Sequence, residues 1–466
     1  MADKPPEEGY ISVVDDEPEI FELLKWDSSQ THKQHETNTL EKAKTPEKKL
    51  SKAKEDVDPF DLSDPAFIET YRLSKDLARG LCEELKPVMP DSTKSIEFSV
   101  ECKVMAALTF FASGKYQKSL AGKTDPSITQ YFVSTAVMQV TEAMNHPSIV
   151  KKYIHFPHLR NERDIIKTSF YMKYGMPNVV GCIDCTHVPI SRPEEDHKRH
   201  FNKSFHSKKV QIICDSDLNI ISVEGKLGGS YSHDAILNQH AVRIDLESLN
   251  NSGEQCWLVG SAHYSQKPYL MTPIPKITKK SPVSPEKYYT NMHSQTQQVV
   301  TDTIKHLKSR WKCLQATCNK QFDPQTVTKL IVACCVLHNI ANRRGLPVVP
   351  MTPAEERLEA MKQKVANTPI SRKRVEDPIG VQARTMLLDR LWNERRIAPE
   401  SCTNGPKKRQ KKDKVVVETM PPVMPHPQMM QPQMQHDDPS KRPRIVMNNP
   451  TYSFGMAPGW GHYPQH

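Results

Sequence analysis

The stretch "VVGCIDCTHVPI", residues 179–190, decides the fold. Val179, Val180, Cys182 and Ile183 form an apolar run with the length and composition of a buried strand. One acid, Asp184, stands near its end. Desolvation penalises a carboxylate there unless hydrogen bonds satisfy it or a site uses its charge. Working downstream, "KKVQIICDSDLNIISVEGKLGG" (208–229) has two β-rich runs around the polar turn Asp215–Asn219 and predicts a hairpin. "QCWLVGSAHY" (255–264) predicts a further short strand ending in small polar residues.

Two helices follow. In "TQQVVTDTIKHLKSRWKCLQ" (296–315), Val299, Val300, Ile304, Leu307, Trp311 and Leu314 share one stripe. "VTKLIVACCVLHNIANRRG" (327–345) is an apolar helix with Gly345 as its stop. Strands followed by packing helices predict an α/β or α+β sheet domain. Upstream, Phe67, Tyr71, Leu73, Leu77, Leu81 and Leu85 recur at helical spacing, and a further helix ends at Ser113–Gly114. "ITQYFVSTAVMQVTEAM" (128–144) is periodic at Ile128, Phe132, Ala136, Val140 and Met144. This pair of helices reads equally as a helix-turn-helix or as a packed helical subdomain, because periodicity does not show which face is free.

Hydrophobic residues make up 37% of the 466, and there are 37 prolines. That apolar share is below the roughly 45–50% of globular chains counted with Gly. It predicts a folded middle with disordered ends. No apolar run reaches the roughly 18 residues of a membrane span, and "MADKPPEEGY" lacks a secretory apolar segment, so a soluble intracellular protein is expected. Most of the 11 cysteines sit in apolar runs, as small hydrophobes do in a reducing compartment. Cys182 and Cys185 form C-x-x-C, but on a strand residues three apart face opposite sides. No second pair completes a zinc set with them or with Cys313, Cys318 and His338. The formal net charge of +10 favours an anionic partner.

The expected organisation is a disordered charged arm (1–58), a helical subdomain (59–170), a sheet domain (171–350), a C-terminal helical extension (351–399) and a disordered tail (400–466), basic first and then rich in Pro, Met and Gln.

Several blocks together resemble the PIF/Harbinger transposase family. They are "FPHLRNERDIIKTSFYMKYGMPNVVGCIDCTHVPI" (156–190), "HSKKVQIICDSDLNIISVEGKLGGSYSHDAIL" (206–237), "LVGSAHYSQKPYLMTPIP" (258–275), "VVTDTIKHLKSRWKCL" (299–314) and "IVACCVLHNIANRRG" (331–345). They follow the family's order over roughly residues 65–350, which is more specific than any single motif. The resemblance implies an α/β fold: an RNase H-like mixed sheet with packing helices, preceded by a helical, helix-turn-helix-like subdomain. It also implies a DDE nuclease, in which three acids hold two divalent metals roughly 4 Å apart for phosphodiester cleavage.

Carried over residue by residue, the first acid falls on Asp184, which is present. The second falls on Ser261 and the third on Thr301, so two of three are missing. Asp302 is next to Thr301, but one residue turns a helix by about 100°. Cys185 and Lys305 stand where the family has glycine. Asp184, Ser261 and Thr301 are therefore relic positions, and no catalytic residue is expected. No metal site is expected either, with Asp184 and Asp234 the candidates if one exists. Mg²⁺ or Mn²⁺ enters only if the chain is an active nuclease with a displaced acidic ligand. Ser261, His263 and Asp184 make a Ser/His/Asp set on paper, without the G-x-S-x-G elbow of a hydrolase.

"GPKKRQKKDK" (405–414) presents Lys407, Lys408, Arg409, Lys411, Lys412 and Lys414 as a nuclear localisation signal. The expected function is that of a domesticated, catalytically inactive transposase acting as a nuclear, DNA- or chromatin-associated binding or regulatory protein. A protein-only adaptor scaffold is the other alternative. The partners implied are nuclear proteins, such as a Myb-like DNA-binding protein or a chromatin complex, with DNA a further candidate and no membrane.

Overall fold

The structure is a computed structural model that describes residues 58–89, 98–115, 126–315, 322–366 and 376–395. Residues 1–57 of the charged arm, and the 400–466 tail with its localisation lysines, lie outside the described residues.

The strands are β1 (Val179–Pro189), β2 (Phe201–Asn202), β3 (Phe205–Cys214), β4 (Ile220–Glu224), β5 (Trp257–Gly260) and β6 (Leu270–Met271). They form one six-stranded sheet in the order β2-β3-β1-β5-β6, with β4 also paired to β3. The β1–β3 and β3–β4 pairs are antiparallel, whereas β1–β5 and β5–β6 are parallel. An antiparallel meander on one side of β1 and parallel strands on the other make the mixed sheet RNase H-like.

The opening stretch forms the central strand because both its faces are covered. Cys182 and its β3 partner Cys214 belong to the larger core cluster, while Ile183, Cys185 and Ile213 belong to the smaller one. Cys182 and Cys185 thus face opposite sides, as the two-residue period of a strand requires. Asp215 shapes the β3–β4 hairpin: its Oδ1 accepts from the amides of Asp217 (2.8 Å) and Asn219 (2.9 Å).

Helices α1 (Asp64–Tyr71), α2 (Lys75–Leu85), α3 (Val100–Ser113), α4 (Pro126–Met144), α5 (Pro147–Tyr153) and α6 (Arg160–Tyr174) precede the sheet. Leu81, Leu108, Val140 and Phe170 from them enter the larger core beside Cys182 of β1. Helix α3 stops where expected. Gly114 takes φ +70°, and a Cβ there would stand 3.1 Å from the Lys312 carbonyl oxygen. Helix α4 contains no Lys or Arg. It buries Phe132, Ala136 and Val140 and exposes Tyr131 and Met138, so it offers no cation to a phosphate backbone.

A single turn, α7 (His197–His200), and then α8 (His233–Gln239) and α9 (Val242–Asn251) lie between strands; α8 and α9 cover the smaller core with Ile236, Leu237, Val242 and Leu246. Helices α10 (Pro285–Arg310) and α11 (Pro324–Arg343) cover the other face, followed by α12 (Pro353–Ala366) and α13 (Pro378–Glu394). Helix α10 begins 11 residues before the expected 296. Ser284 caps it by accepting from the Lys287 amide, and Pro285 opens it. Its first turns are largely polar, which hid them from a reading based on apolar periodicity. Helix α11 likewise starts three residues early, at Pro324, with the Asp323 carboxylate accepting from the Gln325 and Thr326 amides.

Fully buried Asn339 on α11 fastens that helix to the sheet. Its Oδ1 accepts from Ile220 N (2.8 Å), and its Nδ2 donates to Ile220 O (2.7 Å) and Tyr153 O (2.8 Å). Asn339→Ala is expected to cost about 3 kcal/mol, because buried backbone groups lose their partners. An unchanged urea midpoint would contradict this role. Among the described residues, no helix is long and apolar enough to cross a membrane.

Candidate functional site: a crevice beside the central strand

Strands β1 and β5 pair only as far as Ile183 and Gly260. Strand β1 runs on to Pro189 along β3, so Asp184 stands midway along it rather than near its end; it flanks the opening where the pairing with β5 stops, opposite Ser261 just past the carboxyl end of β5. Helix α10 runs past this opening.

The carboxylate of Asp184 is ringed by donors. Ser261 Oγ donates to Oδ1 at 3.0 Å, and the Cys185 amide donates to the same oxygen at 2.8 Å. Gln297 Nε2, from α10, donates to Oδ2 at 3.1 Å. His233 Nε2, from the first turn of α8, lies 3.5 Å from Oδ1. Burial pushes the His233 imidazole down to about 4, against the opposing pull of Asp184, so the ring is neutral at pH 7. The His233 ring stacks on His263 at 4.9 Å between centroids.

Behind the crevice, Gln211 Nε2 donates to Tyr264 Oη (2.9 Å), and Gln211 Oε1 pairs with His240 Nδ1 (2.8 Å). Buried Lys209, on β3, donates to Tyr231 O (3.0 Å) and is electrostatically coupled to Asp184. Asp184 is therefore tolerated in the middle of a core strand because neighbouring dipoles satisfy it.

The other sequence candidates are placed as follows. Thr301 lies one turn beyond Gln297 on α10 and is exposed. Asp302 accepts from Gln298 Nε2 (3.0 Å). Asp234 commits its carboxylate to Ser265, accepting from its amide (3.0 Å) and its hydroxyl (2.8 Å). Of the paper Ser/His/Asp set, the serine donates directly to the aspartate. His187 is a scaffold residue: Nδ1 pairs with Ser207 Oγ (2.9 Å) and Asn202 Nδ2 (3.0 Å), and burial pushes the ring down to about 2.

Sequence reading missed Gln297 and His233. Gln297 carried a latent signal, since it precedes Thr301 by four residues and shares its helix face. His233 carried none beyond adjacency to Asp234.

A two-metal site does not fit this donor set. Two divalent cations need several bridging carboxylates. Here one carboxylate is surrounded by a hydroxyl, an amide and a neutral imidazole, with a lysine in electrostatic reach. Among the described residues, no group of three or more His, Cys, Asp or Glu side chains is placed to hold a metal ion.

A family model described as DDE superfamily endonuclease matches residues 183–339, from the strand bearing Asp184 to the helix bearing Asn339. HARBI1 from Homo sapiens, which carries the word nuclease in its name, is 32% identical over 312 residues, covering 65% of this chain and 86% of the human protein. The chain belongs to the Harbinger-derived DDE superfamily. Two Arabidopsis thaliana proteins lie further from this Harbinger-derived chain. One, named ALP1-like, is 25% identical over 301 residues, with 60% of this chain and 71% of that protein covered. The other, named antagonist of like heterochromatin protein 1, is 27% identical over 297 residues, with 59% and 73% covered. No solved structure matches.

Proposed function

We propose that this Harbinger-derived protein is a catalytically inactive nuclear protein that associates with DNA or chromatin, needs no metal cofactor, and works with nuclear protein partners. The observation that carries this reading is the ring of neutral donors on Asp184. A hydroxyl and an amide fill the space around it, and both side chains donate to the carboxylate instead of offering charge to a cation. Ser261 is one of the two relic positions where the acid that the resemblance calls for is missing.

The net charge of +10 and the basic run 407–414 support nuclear import and an anionic partner. One Arabidopsis relative bears the name antagonist of like heterochromatin protein 1, and that name supports a chromatin setting. The test is strand scission with Mg²⁺ or Mn²⁺, with Asp184→Ala as control. Neither protein is expected to cut DNA. Metal-supported cutting by the wild type that disappears in Asp184→Ala would overturn the inactive assignment.

A further inference from the structure

Helix α12 is held to the rest of the protein differently from its neighbours. None of its side chains from Pro353 to Val365 is buried, whereas α13 anchors itself with buried Leu387, Leu388 and Leu391. Three ion pairs hold α12. Lys305 meets Glu356 (2.8 Å), Lys308 meets Glu359 (2.6 Å) and Lys312 meets Glu355 (2.8 Å). The lysines come from one side of α10 and the short turn that follows it.

Among the described residues, no strand pairs with β1 beyond Ile183 on the side facing away from β3. Polar side chains close that edge instead. Gln363 Nε2, from the far end of α12, donates to Cys185 O (2.9 Å), and Lys308 Nζ donates to His187 O (2.9 Å). Helix α12 carries Arg357, Lys362 and Lys364 as well as its three glutamates and has no net charge, but it sets those glutamates across the row of lysines and ends beside the crevice that holds Asp184.

We infer that the Lys305–Lys308–Lys312 row is a binding site for the phosphate backbone of duplex DNA, and that Glu355, Glu356 and Glu359 of α12 occupy it in cis in the place of phosphates. This deepens the DNA-associated reading and rests on it. The three cations run from Lys305 in the last turns of α10 to Lys312 in the turn just past its end, seven residue steps, or roughly 10 Å at a helical rise. One DNA strand places about three phosphates along that length at 3.4 Å each. A helix held by ion pairs and no buried side chain is also the kind of element that salt and a denser polyanion displace.

The experiment titrates the full-length protein with a labelled DNA duplex of arbitrary sequence across a salt series. Glu355→Gln/Glu356→Gln frees Lys305 and Lys312 and leaves the more buried Lys308–Glu359 pair intact. Two added phosphate contacts steepen the log–log salt slope by about 1.8. The variant should then lose roughly tenfold more affinity than the wild type between about 50 and 200 mM salt. Adding Lys305→Gln/Lys312→Gln to that variant should restore the wild-type slope, with circular dichroism and the melting curve confirming a folded chain.

Equal, non-zero slopes for wild type and variant would overturn the masked site and leave the DNA-associated reading standing. No duplex binding by either would overturn both. Binding of polyglutamate but not duplex by the variant would overturn the choice of DNA as ligand.

Discussion

Replacing Arg163 by methionine is expected to lower folding stability by about 3–5 kcal/mol, the usual cost of removing one partner from a buried ion pair. Arg163, on α6, is held in a bidentate pair with Glu254, through Nε (2.9 Å) and Nη2 (2.6 Å). Its Nη1 also donates to His158 O at 2.6 Å. Only 6% of the arginine side chain and 15% of the glutamate are exposed. Lys167 reaches Glu254 as well (2.7 Å) but cannot serve the carbonyl that the arginine leaves behind.

The pair ties α6 to the segment leading into β5, the strand whose end carries Ser261. Its pH signature follows from Glu254. The Arg163 hydrogen bonds hold that carboxyl at about 2, down from 4.5. A depressed folded-state pKa contributes stability that is fully present above the unfolded value and lost as pH falls through the folded one. The contribution of Glu254 is therefore expected to disappear between about pH 4.5 and 2, and Arg163→Met should shrink that acid limb. Chemical denaturation at several pH values measures both effects. A midpoint unchanged at pH 7 would show that the arginine only decorates the surface.

The second large effect comes from rebuilding the acid set. Ser261→Asp with Gln297→Glu places two new carboxylates in hydrogen-bonding range of Asp184. Without metal, three like charges in one crevice repel, raise one another's pKa values and lower stability. With Mn²⁺ at a hundredfold excess over its dissociation constant, binding should return about 2.7 kcal/mol. The wild type is expected to melt at the same temperature with and without Mn²⁺. A wild-type melting temperature that rises with Mn²⁺ as much as the variant's would mean that the hydroxyl and amide already suffice as ligands, and the donor argument would fail.

Much of the fold was legible because each strand and the apolar helices bury a face, and burial leaves a period in the sequence. The residues from Val179 to Ile183 announced the central strand, Asp215–Asn219 its hairpin, and Gly114 a helix stop. The polar start of α10 was illegible for the same reason: its first turns place few apolar side chains in the core.

The candidate site divides in the same way. Sequence alone determined that the central strand carries one acid and that a serine follows the neighbouring strand where the family resemblance calls for a second acid; that the strand runs on to Pro189 and leaves the acid midway was decided by its pairing with β3. Only the tertiary structure decided that Gln297 closes on Asp184 from α10, that His233 looks in from α8, and that the glutamates of α12 meet lysines some fifty residues earlier. A period in the sequence reports which face of an element is buried. The height and angle at which two elements cross decide which side chains meet, and packing sets those across the whole core.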